Sequence, residues 1–234
     1  MSRISYVMPT RNRDDIIGES IDAVFKQTEK DWELIIVDDH SDKEDKTIEV
    51  IKSFNDRRIK YYQLTDENGM NTSAARNFGN MMATSEIIGV IDSDDICYPF
   101  RTEKTLEAME SGADVVYGEI DLWDSESGEV RRRDGKDYAR KHDPSIYQTM
   151  NYIPHSTVAY KRKLALLFPY NSFFRRCQDW DLFLRITKSG YKFHYIDDCL
   201  VKYRLHPGRI SKSTDLKLDY VEIIKNGYRI LNNK

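Results

Sequence analysis

Cysteine is scarce in this 234-residue chain: Cys97, Cys177 and Cys199 are the only three, and none lies in a CxxC spacing. An odd number without paired spacing suggests neither a disulfide framework nor a zinc site, and a reducing cytoplasm is the simplest location. Long apolar runs are also missing. Nothing approaches the ~18 consecutive apolar residues of a membrane span, and Met1 leads within a few residues into a strand-like segment without a signal or transit pattern. Any membrane contact is therefore expected to be peripheral. No sign of charge dominates, since 36 basic and 39 acidic side chains leave a net charge of −3, which argues against a nucleic-acid partner and for a small molecule. No GxGxxG follows the first strand and no GxxxxGK[ST] occurs. Those absences count against a dinucleotide oxidoreductase and a P-loop enzyme. There is no internal repeat and no low-complexity segment.

What is present centres on Ile87-Ile88-Gly89-Val90-Ile91-Asp92-Ser93-Asp94-Asp95, an apolar run ending in three carboxylates within four residues. A run with no polar alternation suits a parallel strand covered on both faces, and ligands collect at the carboxyl ends of such strands. In extended chain Asp92 and Asp94 share a side. So much negative charge calls for a cation, and Mg2+ or Mn2+ carrying a diphosphate suits carboxylate oxygens. The 15 Tyr, 9 Phe and 3 Trp fit a cleft with stacking surfaces and equally an ordinary core.

Along the chain, strands are predicted at Ile4 to Met8, Glu33 to Val37, Ile59 to Leu64 and the run above. Helices are predicted between them, one with Ile16, Ile17, Ile21, Val24 and Phe25 on its apolar side, one from Lys43 to Phe54 and one from Ser73 to Ala83. Strands alternating with helices predict a right-handed parallel half-sheet. Beyond Pro99 the pattern reads as a helix from Arg101 to Met109, a strand from Asp114 to Trp123, a turn at residues 124–129 and a charged, mobile loop from Arg131 to Asp143. There follow a strand from Ser156 to Tyr160 and a helix from Gln178 to Lys188 closed by Gly190. Strands Tyr191 to Ile196 and Leu200 to Tyr203, joined by an Asp197-Asp198 turn, precede a last helix from Leu216 to Leu231. The expectation is one α/β domain with a mixed, mainly parallel sheet: residues 1–98 bind a nucleotide, 99–210 bind the acceptor and catalyse, and 211–234 form the closing helix.

Four polar clusters follow predicted strands: Pro9 to Arg13, Asp38 to Asp42, Arg76-Asn77 with its preceding loop, and Asp92 to Asp95. In a parallel sheet these ends lie along one edge, so the clusters converge. Each alone could be a helix cap or a solvated turn.

Together they carry a resemblance. Val-Met-Pro-Thr-Arg-Asn-Arg at 7–13, Ile-Val-Asp-Asp-His-Ser-Asp at 36–42, Ala-Ala-Arg-Asn-Phe-Gly at 74–79 and Ile-Asp-Ser-Asp-Asp at 91–95 are similar, in order and spacing, to the inverting GT-A glycosyltransferases of family 2. Cys177-Gln178-Asp179-Trp180-Asp181-Leu182 and Tyr203-Arg204-Leu205-His206-Pro207 extend the likeness, which covers roughly residues 4 to 207. It implies that Pro9, Thr10, Arg11 and Arg13 line a nucleotide pocket, that Asp39 accepts from the base and that Arg76 faces the nucleotide. Asp92 with Ser93 would meet the ribose, Asp94 the metal with Asp95 competing, and Asp179 would be the general base. Many relatives have Glu before that Asp, where this chain has Gln178. His206 would complete the metal shell or touch the diphosphate. It further implies a nucleotide-sugar donor, with UDP favoured, Mn2+ or Mg2+, and a saccharide or lipid-linked saccharide acceptor.

Plainer roles stand beside these. Asp179 begins a helix and could be its N-cap, and Asp181 reads as a surface or supporting residue. Arg204 reads as a diphosphate partner or a surface residue, and His206 as a polar cap. His155 lines the acceptor side, and Cys177 packs. Rival functions are a haloacid-dehalogenase-type phosphatase, which also ends a strand in DxD, a sugar nucleotidyltransferase, and an inactive nucleotide-sugar binder. The phosphatase leaves residues 9–13 and 38–39 unexplained. The nucleotidyltransferase wants a glycine-rich loop after the first strand, and residues 8–13 contain no glycine.

Overall fold

A computed structural model describes residues 2–65, 71–133 and 140–205. The proposed contact of His206 and the helix from Leu216 to Leu231 lie outside them. The first half alternates as the apolar pattern requires: β1 Ile4–Thr10, α1 Ile17–Phe25, β2 Trp32–Asp38, α2 Thr47–Ser53, β3 Ile59–Gln63, α3 Thr72–Met82 and β4 Ile87–Val90. The chain continues through β5 Ile96–Cys97, α4 Arg101–Glu110, β6 Val115–Asp124, β7 Val130–Arg132 and α5 Pro144–Tyr147. A 3-10 turn at His155–Thr157, β8 Ala159–Lys161, α6 Arg162–Leu167, α7 Gln178–Lys188 and β9 Phe193–Leu205 complete it.

The strands form one sheet in the order β3-β2-β1-β4-β8-β6-β9-β5, with β7 added alongside β6. The neighbours β3, β2, β1 and β4 are parallel, as are β6 and β9, while β8, β5 and β7 run against their partners. Both faces are covered, which is why the strands read as unbroken apolar runs. Ile4, Tyr6, Met8, Leu34 and Ile36 point into a core shared with α1, α2 and α4. Val7, Ile35 and Val37 point the other way, into a core shared with α3, α6 and α7. Close approach of α3 depends on Gly79, where a Cβ would lie 2.5 Å from Val7 Cγ1.

The second half corrects several expectations. The charged segment from Arg131 begins as strand, since Arg131 and Arg132 pair with Leu122 and Asp121. Ser156 and Thr157 turn as 3-10 helix before β8 starts at Ala159. The two strands at 191–196 and 200–203 are one, β9, running along β6 over its whole length. Asp197 and Asp198 do not reverse the chain; they are extra residues where the register slips at Gly118/Glu119. A bulge of this kind absorbs unpaired residues without a turn. Gly118 permits it, because a Cβ there would sit 2.8 Å from Leu200 Cδ1. Helix α2 starts four residues later than expected, at Thr47, whose N–H donates to Asp45 Oδ1.

His142 ties α5 to α7 and β9. Its ring stacks on Phe193 with centroids 4.0 Å apart, and its nitrogens lie 2.9 Å from Thr187 Oγ1 and 3.0 Å from Tyr152 Oη. Burial presses its pKa from 6.5 down to about 4, against a weaker upward pull from Asp143. The unfolded chain thus takes up a proton near 6.5 that the folded protein refuses until about 4. Stability is fully present above 6.5 and falls as pH drops through that window, by up to about 3 kcal/mol. Urea midpoints at pH 7.5 and 5.0 should show the loss, and His142→Gln should reduce it; an unchanged pH slope in that variant would exclude His142 as a source.

Candidate active site

The strand ends deliver the polar clusters to one edge. Pro9 and Thr10 are the last residues of β1 and are buried, while Arg11 is exposed in the following loop. Thr10 carbonyl accepts from Asp39 N–H at 2.8 Å, joining the ends of β1 and β2. Thr10 Oγ1 is buried with no hydrogen-bond partner. The two loops beyond are cross-linked. Asn12, in the left-handed region at φ 50°, exchanges hydrogen bonds with Asp42, each 2.8 Å. Arg13 N–H donates to Thr47 Oγ1 at 2.7 Å.

Asp39 lies 7% exposed at the end of β2, and both its oxygens accept from Asn71 N–H at 3.1 Å. Asn71 caps α3, accepting from Ala74 N–H, and donates to Ser172 carbonyl. The cap thereby links the end of β2 to the segment preceding α7.

The acidic cluster is not extended as its spacing implies. β4 stops at Val90 and residues 92–95 form a turn, closed by Asp95 N–H donating to Asp92 carbonyl at 3.2 Å. The three carboxylates consequently point to three environments. Asp92 accepts from Arg76 at 2.7 Å, and that guanidinium, with His155 adding to it, outweighs burial and holds the Asp92 carboxyl below the usual range. Asp94, with a side chain 23% exposed, has Arg13 at 3.9 Å. Asp95 turns inward to 1% exposure; its Oδ1 accepts from Arg204 N–H at 3.0 Å and its Oδ2 has no hydrogen-bond partner. Burial, then Asp94 and Asp92, push the Asp95 carboxyl well above the usual range. Ser93 is buried, its carbonyl accepting from Ser20 Oγ.

Arg204 is no surface residue. It is 5% exposed, its Nε donates to Asp94 carbonyl at 2.9 Å, one amino group pairs with Glu19 at 2.9 Å, and its guanidinium lies 4.2 Å from the Trp123 ring centroid. It braces the turn from β9.

Asp179 is the second residue of α7, which begins after Cys177 in the left-handed region at φ 56°. Asp179 makes no capping bond; its Oδ2 accepts from Asn151 Nδ2 at 2.7 Å. Asp181 is buried at 5% and paired with Arg185 at 2.8 Å, so the surface role is withdrawn. Arg76, 6% exposed and 5.5 Å from the Tyr170 ring centroid, is acted on by both Asp92 and Asp179. His155, 2.8 Å from Tyr170 Oη, is acted on by the same two carboxylates and is lowered to about 4, chiefly by burial.

Asn151 escaped the reading of the sequence, because it lies in a stretch without a motif and gains its role from Asp179, 28 positions away. Among the described residues no three His, Cys, Asp or Glu side chains converge on a metal position. A hard cation such as Mg2+ is nevertheless held by one or two carboxylates plus substrate phosphates. The partly exposed Asp94 oxygen fits that arrangement, whereas Asp95 faces the interior.

Residues 5–168 match the family described as Glycosyl transferase family 2. An uncharacterized glycosyltransferase, MJ1057, of Methanocaldococcus jannaschii is 28% identical over 205 residues, covering 86% of this chain and 70% of its own. The amylovoran biosynthesis glycosyltransferase AmsB of Erwinia amylovora is 27% identical over 210 residues, covering 86% and 69%. Among solved structures, S. aureus TarS 1–349 in complex with UDP-GlcNAc superposes with a TM-score of 0.72 at 18% identity, covering 97% of this chain and 71% of that one. The mannosyltransferase PcManGT of Pyrobaculum calidifontis, in complex with GDP-Man and Mn2+, gives 0.65 at 18% identity, covering 88% and 58%. On the match across residues 5–168, and with a sheet and helices arranged as in the GT-A enzymes, the chain belongs to glycosyl transferase family 2 and is a glycosyltransferase.

Proposed function

We propose that the protein transfers a sugar, with inversion, from a UDP-sugar to a saccharide or lipid-linked saccharide acceptor in the assembly of a polysaccharide or glycoconjugate. The observation that carries this reading is a chain of contacts along one edge: Arg76 pairs with Asp92 at 2.7 Å and lies 5.5 Å from the Tyr170 ring centroid, the Tyr170 hydroxyl is 2.8 Å from His155, and Asn71 ties Asp39 to the segment that leads into Asp179. Support for the donor comes from the UDP-GlcNAc complex of TarS, and for the pathway from the name of AmsB.

In this mechanism the nucleoside lies against the ends of β1 and β2, with Asp39 toward the base and Asp92 with Ser93 toward the ribose. Arg13 and Arg76 bring positive charge to the diphosphate. A divalent cation held by Asp94 would neutralise the charge growing on the leaving diphosphate. Asp179, oriented by Asn151, takes the proton of the acceptor hydroxyl as its oxygen attacks the anomeric carbon from the face opposite the diphosphate. With Asp179 as the one base of this mechanism, the displacement is single and the anomeric configuration inverts. The phosphatase reading falls with the family membership.

Calorimetric titration with UDP, with and without Mn2+ and beside ADP and GDP, tests the donor assignment. Binding that is selective for UDP and weakened on chelation is expected. Tighter binding of GDP would replace the UDP assignment, and no binding of any nucleoside diphosphate would remove the reading.

A further inference from the structure

We propose that Arg101 is a positioning residue that closes the base of the acidic turn and so sets how Asp92 and Asp94 face the donor; the donor part of this inference rests on the function proposed above. Arg101 is 0% exposed, on the first turn of α4. One of its amino groups donates to the carbonyl of Val90, the last residue of β4, and the other to Cys97 Sγ at 2.9 Å, at the end of β5. Val90 and Cys97 are the two ends of the segment that carries all three carboxylates. A single rigid guanidinium therefore spans the mouth of the loop, with its fork of donors fitting two acceptors at once. It lies 5.3 Å from the Tyr6 ring centroid, and the Tyr6 hydroxyl is 2.8 Å from that of Thr102. The β1 strand thus backs the same clamp.

Packing alone does not call for arginine here. Among the described residues Arg101 makes no ion pair within contact distance, and its Nε is buried without a hydrogen-bond partner. A buried cation in such surroundings is costly, and an apolar side chain of similar length would fill the space without that cost. What an apolar residue lacks is the pair of donors to opposite ends of the turn, and a positive charge that acts on Asp92 and Asp95. From β9, Arg204 braces the same turn at Asp94 and Asp95. Arg101 holds its ends and Arg204 its middle.

The test compares Arg101→Met, which keeps length without donors, with Arg101→Lys, which keeps the charge and can serve only one end. Hydrogen exchange is followed over residues 91–97 and, as an internal reference, over residues 32–38 of β2. UDP affinity is measured with Mn2+. For Arg101→Met, exchange should rise at least tenfold across 91–97 with residues 32–38 unchanged, and Kd for UDP with Mn2+ should weaken at least tenfold, with Arg101→Lys intermediate in both. Wild-type exchange across 91–97 in Arg101→Met, or equal loosening of the turn and of β2, would overturn the proposal. If Arg101→Met does not fold, Arg101→Lys and Cys97→Ala carry the test, and both must loosen residues 91–97 selectively. A wild-type protein that binds no UDP would remove the donor assignment, while the exchange measurement still reads the clamp without any ligand.

Discussion

Asp179→Asn is expected to lower sugar transfer by about 10²- to 10⁴-fold, the usual contribution of a general base, with nucleotide affinity unchanged. The substitution replaces one oxygen by an amide of nearly the same shape. The remaining carbonyl oxygen can still accept from Asn151 Nδ2, which now meets Asp179 Oδ2 at 2.7 Å. The start of α7 is otherwise held by contacts that do not involve residue 179, including Trp180 Nε1 donating to Tyr147 carbonyl at 2.8 Å. The fold should therefore survive while proton removal from the acceptor fails. The groups that the proposed mechanism places at the donor, Arg13, Asp39, Arg76 and Asp94, lie on other loops and helices, so UDP titration should match wild type. A variant that transfers sugar at the wild-type rate would take Asp179 out of the mechanism.

Asp94→Ala should abolish the gain in UDP affinity that Mn2+ provides and leave metal-free binding in place. Its side chain is partly exposed and its ion contact with Arg13 is long, at 3.9 Å, so the cost in stability should stay near the ~0.5 kcal/mol of an ordinary surface change. Asp92→Ala is a contrasting case only two residues away. It strips the carboxylate from Arg76, whose side chain is 7% exposed, and an uncompensated buried charge costs about 3–5 kcal/mol. Thermal unfolding should thus separate the pair: Asp94→Ala melts near wild type and loses metal-dependent binding, whereas Asp92→Ala melts early. Calorimetry with and without Mn2+ on Asp94→Ala is the decisive measurement. Undiminished metal dependence would move the cation to another residue.

The difference between those neighbours was invisible in Asp92-Ser93-Asp94-Asp95, where the expectation was a shared side for Asp92 and Asp94. That inference needed extended chain through Asp94, and β4 ends at Val90, two residues before Asp92. Arg204 shows the same limit: a lone arginine after a strand offers no sign that Glu19, Trp123 and the acidic turn will enclose it. The bulge at Asp197-Asp198 read as a hairpin turn because two acidic residues between apolar strands look alike in both cases, and only pairing with β6 distinguishes them.

By itself the sequence determined what depends on near neighbours. Apolar runs and helical spacings set β1 through β4 and the helices between them in order and direction. The polar residues that follow each strand then had to meet along one edge, because parallel strands end together. The helix from Gln178 to Lys188 was legible for the same reason, with its periodic apolar side and its closing Gly190. The tertiary structure alone decided the pairings: Arg76 with Asp92, Asn151 with Asp179, Arg101 with both ends of the turn, and β9 as one strand along β6. These join residues between 4 and more than 80 positions apart, and their energies depend on burial and on the direction of each side chain, neither of which is written in local spacing.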